Sequence, residues 1–265
     1  MSVRWGVMVQ NAAQVERAAG AGFDCVQSVA TFAAELRDDE LALQERLIKD
    51  RGVSCEVSAV PLPVDVRVTE RGFNLYAWLE HLKKALARLS KLGCRKLVWS
   101  DGRARLLPLE GDQTGAREQA LQFLYVLCEA AREKGMTVLV EPLGARRTNF
   151  LNTLDEIRSI LPRVGKENLG AAVSLRELAS IGLSPGALAS SGGLVQHVHV
   201  ENPRASERGR ISPSAGDGYE YGPFFDALRS AGYSGVVCLP EEADAPALAY
   251  CKKLWGDEPG RPTDL

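Results

Sequence analysis

Residues 132–141 read REKGMTVLVE: the charged end of a helical pattern, a glycine, then a β-branched run closed by one glutamate. The same phrase recurs along the chain. AGAGFD (19–24), KDRGVS (49–54), SKLGCR (90–95) and SAGYSG (230–235) each set a glycine between a helical pattern and a strand. Gly22, Gly52, Gly93, Gly135 and Gly232 stand where a helix ending in the left-handed conformation favours a residue without a Cβ. Strand patterns cover 3–9, 23–29, 53–60, 95–100, 136–141, 168–174, 194–201 and 234–240. Helical patterns cover 11–20, 35–51, 75–92, 115–134, 152–161, 222–231 and 243–254, with a weaker interval at 175–192 broken by Pro185 and several glycines. In 75–92, Leu75, Trp78, Leu79, Leu82, Leu86 and Leu89 recur at helical spacing and form one apolar stripe. This alternation predicts an α/β fold, a single (β/α)8 TIM barrel spanning 1–265 as one domain. An open doubly wound sheet fits less well, because no glycine-rich phosphate loop follows the first strand.

Composition agrees with such a domain and excludes other classes. Apolar residues make up 45% of the 265 residues and charged ones 25%, enough for a large core and an ordinary polar surface. A net charge of −2 with interspersed signs gives no electrostatic footprint for nucleic acid. No apolar run approaches the roughly 18–20 residues of a membrane span, and MSVRWGVMVQ lacks the long apolar segment of a signal peptide. The six cysteines are spread without a CxxC pair, as expected of buried free thiols in a reducing cytoplasm.

Barrel chemistry sits where strands end, at the C-terminal mouth. The residues there are Gln27, Glu56, Ser100, Asp101, Glu141, Ser174, His199, Glu201, Pro240 and Glu241. Glu141 closes an apolar strand, a costly place for a carboxylate unless it is paired or used. Its bland reading is an ion pair with Arg146 or Arg147. In HVHVEN (197–202), His199 is read as facing the barrel interior and His197 as facing the helix layer. His81, inside LEHLKK, reads as a helix-surface or packing residue. Arg103, Arg105, Arg146, Arg147, Arg204, Arg208 and Arg210 follow the fourth, fifth and seventh strands, and guanidinium forks suit phosphate or carboxylate groups.

VLVEPLGARRTNFLNTLDE (138–156), LVQHVHVENPR (194–204), GYEYGPFFDALRSAGYSGVV (218–237) and LVWSDGRARLLP (97–108) resemble the xylose-isomerase-like TIM-barrel group of sugar-phosphate isomerases and epimerases. The similarity extends over nearly the whole chain. It implies a divalent ion held by Glu, Asp, His and Glu at the ends of the fifth to eighth strands. Glu141 and His199 match the first and third positions. Ser174 stands where the Asp is expected, Pro240 where the last Glu is expected, and Glu177 where the group often has a substrate-contacting His. Hard divalent ions favour several charged oxygen ligands, and catalytic zinc usually has three protein ligands. Two matched ligands fall short of either, and Glu241 would need a bulge to turn inward. No tightly bound cofactor is therefore expected; if Mn²⁺, Mg²⁺ or Zn²⁺ binds, Glu141 and His199 would be its ligands. The resemblance to the AP-endonuclease barrels carries no DNA-repair activity here, because three histidines cannot build that branch's trinuclear zinc centre.

The expected function is isomerisation or epimerisation of a sugar, polyol or keto acid by carboxylate-mediated proton transfer at the mouth. The alternative is a re-purposed metal-independent enzyme performing elimination, cyclisation or rearrangement, or a barrel that only binds its ligand. Glu141, His199 and Glu241 are the candidate catalytic residues. Arg103, Arg105, Arg147, Ser174, Glu177 and Arg204 are the candidate substrate contacts. The expected partner is a polyhydroxylated or anionic small molecule, with no nucleic acid and no membrane; a homodimer is compatible with the sequence.

Overall fold

The structure is a computed structural model, and it describes residues 2–204 and 209–257. Eight strands close into one parallel barrel in the order of the chain: β1 Arg4–Met8, β2 Cys25–Val29, β3 Ser54–Ala59, β4 Lys96–Trp99, β5 Thr137–Val140, β6 Leu169–Ser174, β7 Val195–His199 and β8 Val236–Leu239. Closure is completed by β8 against β1, with Arg4 opposite Val236 and Val7 opposite Leu239. The helices around it are α1 Ala12–Gly20, α2 Ala30–Glu35, α3 Asp38–Asp50, α4 Leu75–Lys91, α5 Gln113–Arg132, α6 Leu154–Val164, α7 Leu175–Ser180, α8 Gly222–Ser230 and α9 Ala245–Trp255. Among the described residues no helix is long and apolar enough to cross a membrane. All six cysteines are buried free thiols.

Strand alternation divides the apolar residues into two cores. Cys25, Val57, Ala59, Val98, Leu139, Ala172, Val236 and Cys238 fill the bore. Val138, Val140, Val173, Val198 and Val237 face outward and pack with the helices. The expected glycines end their helices with φ between 66° and 96° at Gly22, Gly52, Gly93, Gly135 and Gly232.

Three helical intervals differ from the sequence reading. The 35–51 pattern is α3 alone, and the unpredicted short helix α2 precedes it: Leu36 is extended (ψ 140°), and Arg37 N–H bonds the Glu40 carboxylate to start α3 afresh. The 152–161 pattern runs on to Val164: Pro162 sits in the last turn without ending it, and Gly165, with φ 64°, does. The weak 175–192 interval is α7 followed by a 3₁₀ turn at Pro185–Ser190, with left-handed Gly182 between them.

Candidate active site

On β5, Leu139 points into the bore, and the next inward position beyond it is Glu141, only 5% exposed at the strand's end. Its Oε1 accepts a hydrogen bond of 2.8 Å from Nδ1 of His199 on β7. Burial alone would raise this carboxyl. The adjoining His199 and the more distant Arg210 and Arg147 more than offset it, holding Glu141 below the usual carboxylate range. The carboxylate is thus kept ionised and aimed by an imidazole. Arg146 and Arg147, the partners that the alternative ion-pair reading of Glu141 named, are engaged differently: Arg147 lies 3.5 Å from Glu177 and Arg146 is exposed at the cavity wall.

His197 corrects the expectation that it faces the helices. Residues two apart on a strand share a face. His197 is therefore inside the bore with His199, their Nε2 atoms 3.2 Å apart and their rings edge-on. Gln27 of β2 meets both, its Oε1 lying 2.7 Å from His197 Nε2 and 3.0 Å from His199 Nε2. Burial first, then the neighbouring His199 and Lys96, depress the His197 pKa well below its ordinary value, so it is neutral. Glu141, His199, Gln27 and His197 form one buried polar column beneath the mouth. His81 is a packing residue on α4, edge-on to Trp78.

Above the column opens a cavity of about 740 Å³. Of the expected residues it brings together Arg103, Glu141, Arg147, Ser174 and Glu177. Ser174 ends β6 and caps α7, its Oγ accepting from Glu177 N–H at 3.4 Å. Glu177 accepts from Gly144 N–H at 2.8 Å, which ties α7 to the loop after β5. Gly102 lets the loop after β4 lie against that same loop, since a Cβ there would meet Arg147 O at 2.8 Å. Val60, at the end of β3, lines the cavity with φ 59°, a strained conformation for a β-branched residue.

Three expected residues lie elsewhere. Arg105 is fully buried and donates to the carbonyls of Trp99, Glu141 and Leu151, so it is a structural tie rather than a substrate contact. Burial lowers its pKa to about 10, and it remains charged at neutral pH. Glu241 receives the side-chain amides of Gln10 and Gln14, and its carboxylate is turned to the start of α1. Arg204 is exposed on the loop after β7, outside the cavity lining, and Arg208 lies outside the described residues. The cavity also holds groups given no role from sequence. Asp101 lies on its wall, and Glu201 sits between Arg210 at 3.2 Å and Arg176 at 3.8 Å. Asp101, Gln27 and Glu201 were visible as strand-end residues; His197 was recoverable from the two-residue strand period.

The positions where the group's ligands are expected carry Glu141, Ser174, His199 and Pro240. Oε1 of Glu141 is bonded to His199, Ser174 is a helix cap, Pro240 has no donor, and Glu241 is engaged by two glutamines. Among the described residues no three His, Cys, Asp or Glu side chains form a ligand group.

Fold and site together define a (β/α)8 barrel whose polar cavity opens at the C-terminal ends of its strands. The chain belongs to the xylose isomerase-like TIM barrel family, whose model matches residues 15–254. Its relatives are sugar epimerases. D-psicose 3-epimerase of Agrobacterium fabrum is 23% identical over 256 residues, spanning 93% of this chain and 84% of the relative. L-ribulose 3-epimerase of Mesorhizobium japonicum is 23% identical over 249 residues, spanning 89% and 80%. A crystal structure of D-psicose 3-epimerase in the presence of D-fructose matches with a TM-score of 0.81 at 19% identity, covering 96% of this chain and 100% of that one.

Proposed function

We propose that this protein is a sugar epimerase or isomerase that moves a proton at a carbon next to a carbonyl, without a tightly held divalent ion. The observation that carries this reading is the ionised Glu141 carboxylate, aimed by His199 at the end of β5 beside the cavity. As base, Glu141 takes the proton from carbon, and the bond's electrons move to the carbonyl oxygen as an enediolate. That oxygen then needs positive charge, which in the absence of a metal falls to the cavity guanidinium groups of Arg103, Arg147 and Arg210. A cavity of about 740 Å³ accommodates a monosaccharide or its phosphate. The relatives' names support ketoses as the first substrates to test. Ser174 and Pro240 at the expected ligand positions support the metal-free form of the reading.

The test is an epimerisation assay on D-psicose, L-ribulose and their phosphates, with product separated by chromatography. Glu141→Gln is expected to slow turnover by at least about 10²-fold, in line with the loss of a positioned acid–base group. Saturable binding of these sugars without turnover by the unmodified protein would contradict the reading and leave a ligand-binding barrel.

A further inference from the structure

Asp101 follows β4 and lines the same cavity as Glu141, but its surroundings are opposite in kind. Its carboxyl accepts one long hydrogen bond, 3.4 Å, from Leu62 N–H. Leu62 lies in the loop after β3, whereas Glu141 is held by His199 of β7. In an eight-stranded ring closed in chain order, β3 and β7 are four strands apart and face each other across the bore. The two carboxyl groups, rooted on neighbouring strands, are therefore drawn toward opposite sides of one cavity.

Resting on the epimerase reading above, we propose that Asp101 is the second proton carrier of this site, serving the face of the substrate opposite to Glu141. In one direction the Glu141 carboxylate removes the proton from carbon and becomes a carboxylic acid, while the electron pair moves onto the carbonyl oxygen. The enediolate then collapses, and its carbon takes the proton of Asp101–COOH on the other face. The product is the epimer, with Glu141 protonated and Asp101 ionised; exchange with water resets both. In the reverse direction Asp101 is the base and Glu141 the acid. Inversion requires one proton shared between two carboxyls, and two unlike environments provide that. The groups around Asp101 account for the division. Burial raises its pKa to about 7 and Glu141 adds to this, against the lowering by Leu62 N–H, Arg105 and Arg147.

The pair works with one proton in either direction, so kcat/KM should fall above about pH 7 for both epimers, as Asp101 loses its proton. The deciding experiment uses Asp101→Asn and Glu141→Gln in D₂O, with D-psicose and D-fructose as the C3-epimeric pair and proton NMR as readout. Both variants are expected to lose interconversion by at least about 10²-fold. Asp101→Asn should still exchange solvent deuterium into one epimer, and Glu141→Gln into the other only. Circular dichroism checks the folds, and Asp101→Glu should restore part of the interconversion. Interconversion by Asp101→Asn at the wild-type rate overturns the proposal, as does a folded Asp101→Asn that exchanges neither sugar. A wild-type protein that neither exchanges nor epimerises the pair removes the epimerase reading, and the proposal with it.

Discussion

Glu141 and Asp101 make opposite predictions for stability, because the fold shifts their pKa values in opposite directions. The Glu141 carboxyl is below its unfolded value, so its contribution is present above about pH 4.3 and is lost as pH falls through the folded value. Glu141→Gln should therefore melt below the wild type at pH 7, with the gap closing toward pH 4. Asp101 is raised, to about 7. Between about pH 3.9 and 7 the folded state keeps a proton that the unfolded chain has released, so stability falls as pH rises across that window. Asp101→Asn removes this penalty and should melt above the wild type at pH 8, by more than at pH 5. Thermal melts of both variants at these pH values check the signs; equal shifts at all pH values would contradict them. Glu141 was legible in the sequence because a lone acid closing VLVE is conspicuous. Its partner was only half legible. That His199 sits inside was expected, but its bond to a carboxylate 58 residues earlier depends on the closure of the bore.

Arg105 shows how a loop can be held by a residue whose type advertises binding. It sits in RAR (103–105), a 3₁₀ turn after β4, where one arginine reaches the cavity and the other turns inward. Residue type does not distinguish the two; the turn's geometry does. The buried guanidinium joins the carbonyls after β4 and β5 and so fixes the backbone that carries Glu141. Arg105→Met should leave those carbonyls unsatisfied and cost about 2–4 kcal/mol. For a chain of this size that is a fall in Tm on the order of 10 °C. A variant with unchanged Tm and a raised KM would return Arg105 to the substrate. The strands and the ends of the glycine-capped helices were legible from local chemistry alone. The short helix α2 was not, because its six residues, ended by extended Leu36, are too few to show a helical period.

For the whole barrel, closure brings together Gln27 and His197, 170 residues apart, and no local pattern announces that meeting. The eight-fold alternation was readable because each unit repeats the same physical instruction: β-branched run, amphipathic helix, glycine. Closure also sets the ends of β5 to β8 side by side, so Ser174 and Pro240 have consequences together. Calorimetric titration with Mn²⁺, Mg²⁺ and Zn²⁺ should show weak binding or none, and Ser174→Asp with Pro240→Glu should strengthen it by restoring carboxylates. Stoichiometric tight binding by the unmodified chain would mean a donor set other than the one described. The most direct test joins metal and carboxylate in one assay: interconversion of D-psicose and D-fructose by exhaustively chelated protein, beside Glu141→Gln. The prediction is that turnover persists without metal and falls by at least about 10²-fold in the variant. Turnover abolished by chelation and restored by Mn²⁺, or undiminished in Glu141→Gln, would contradict it.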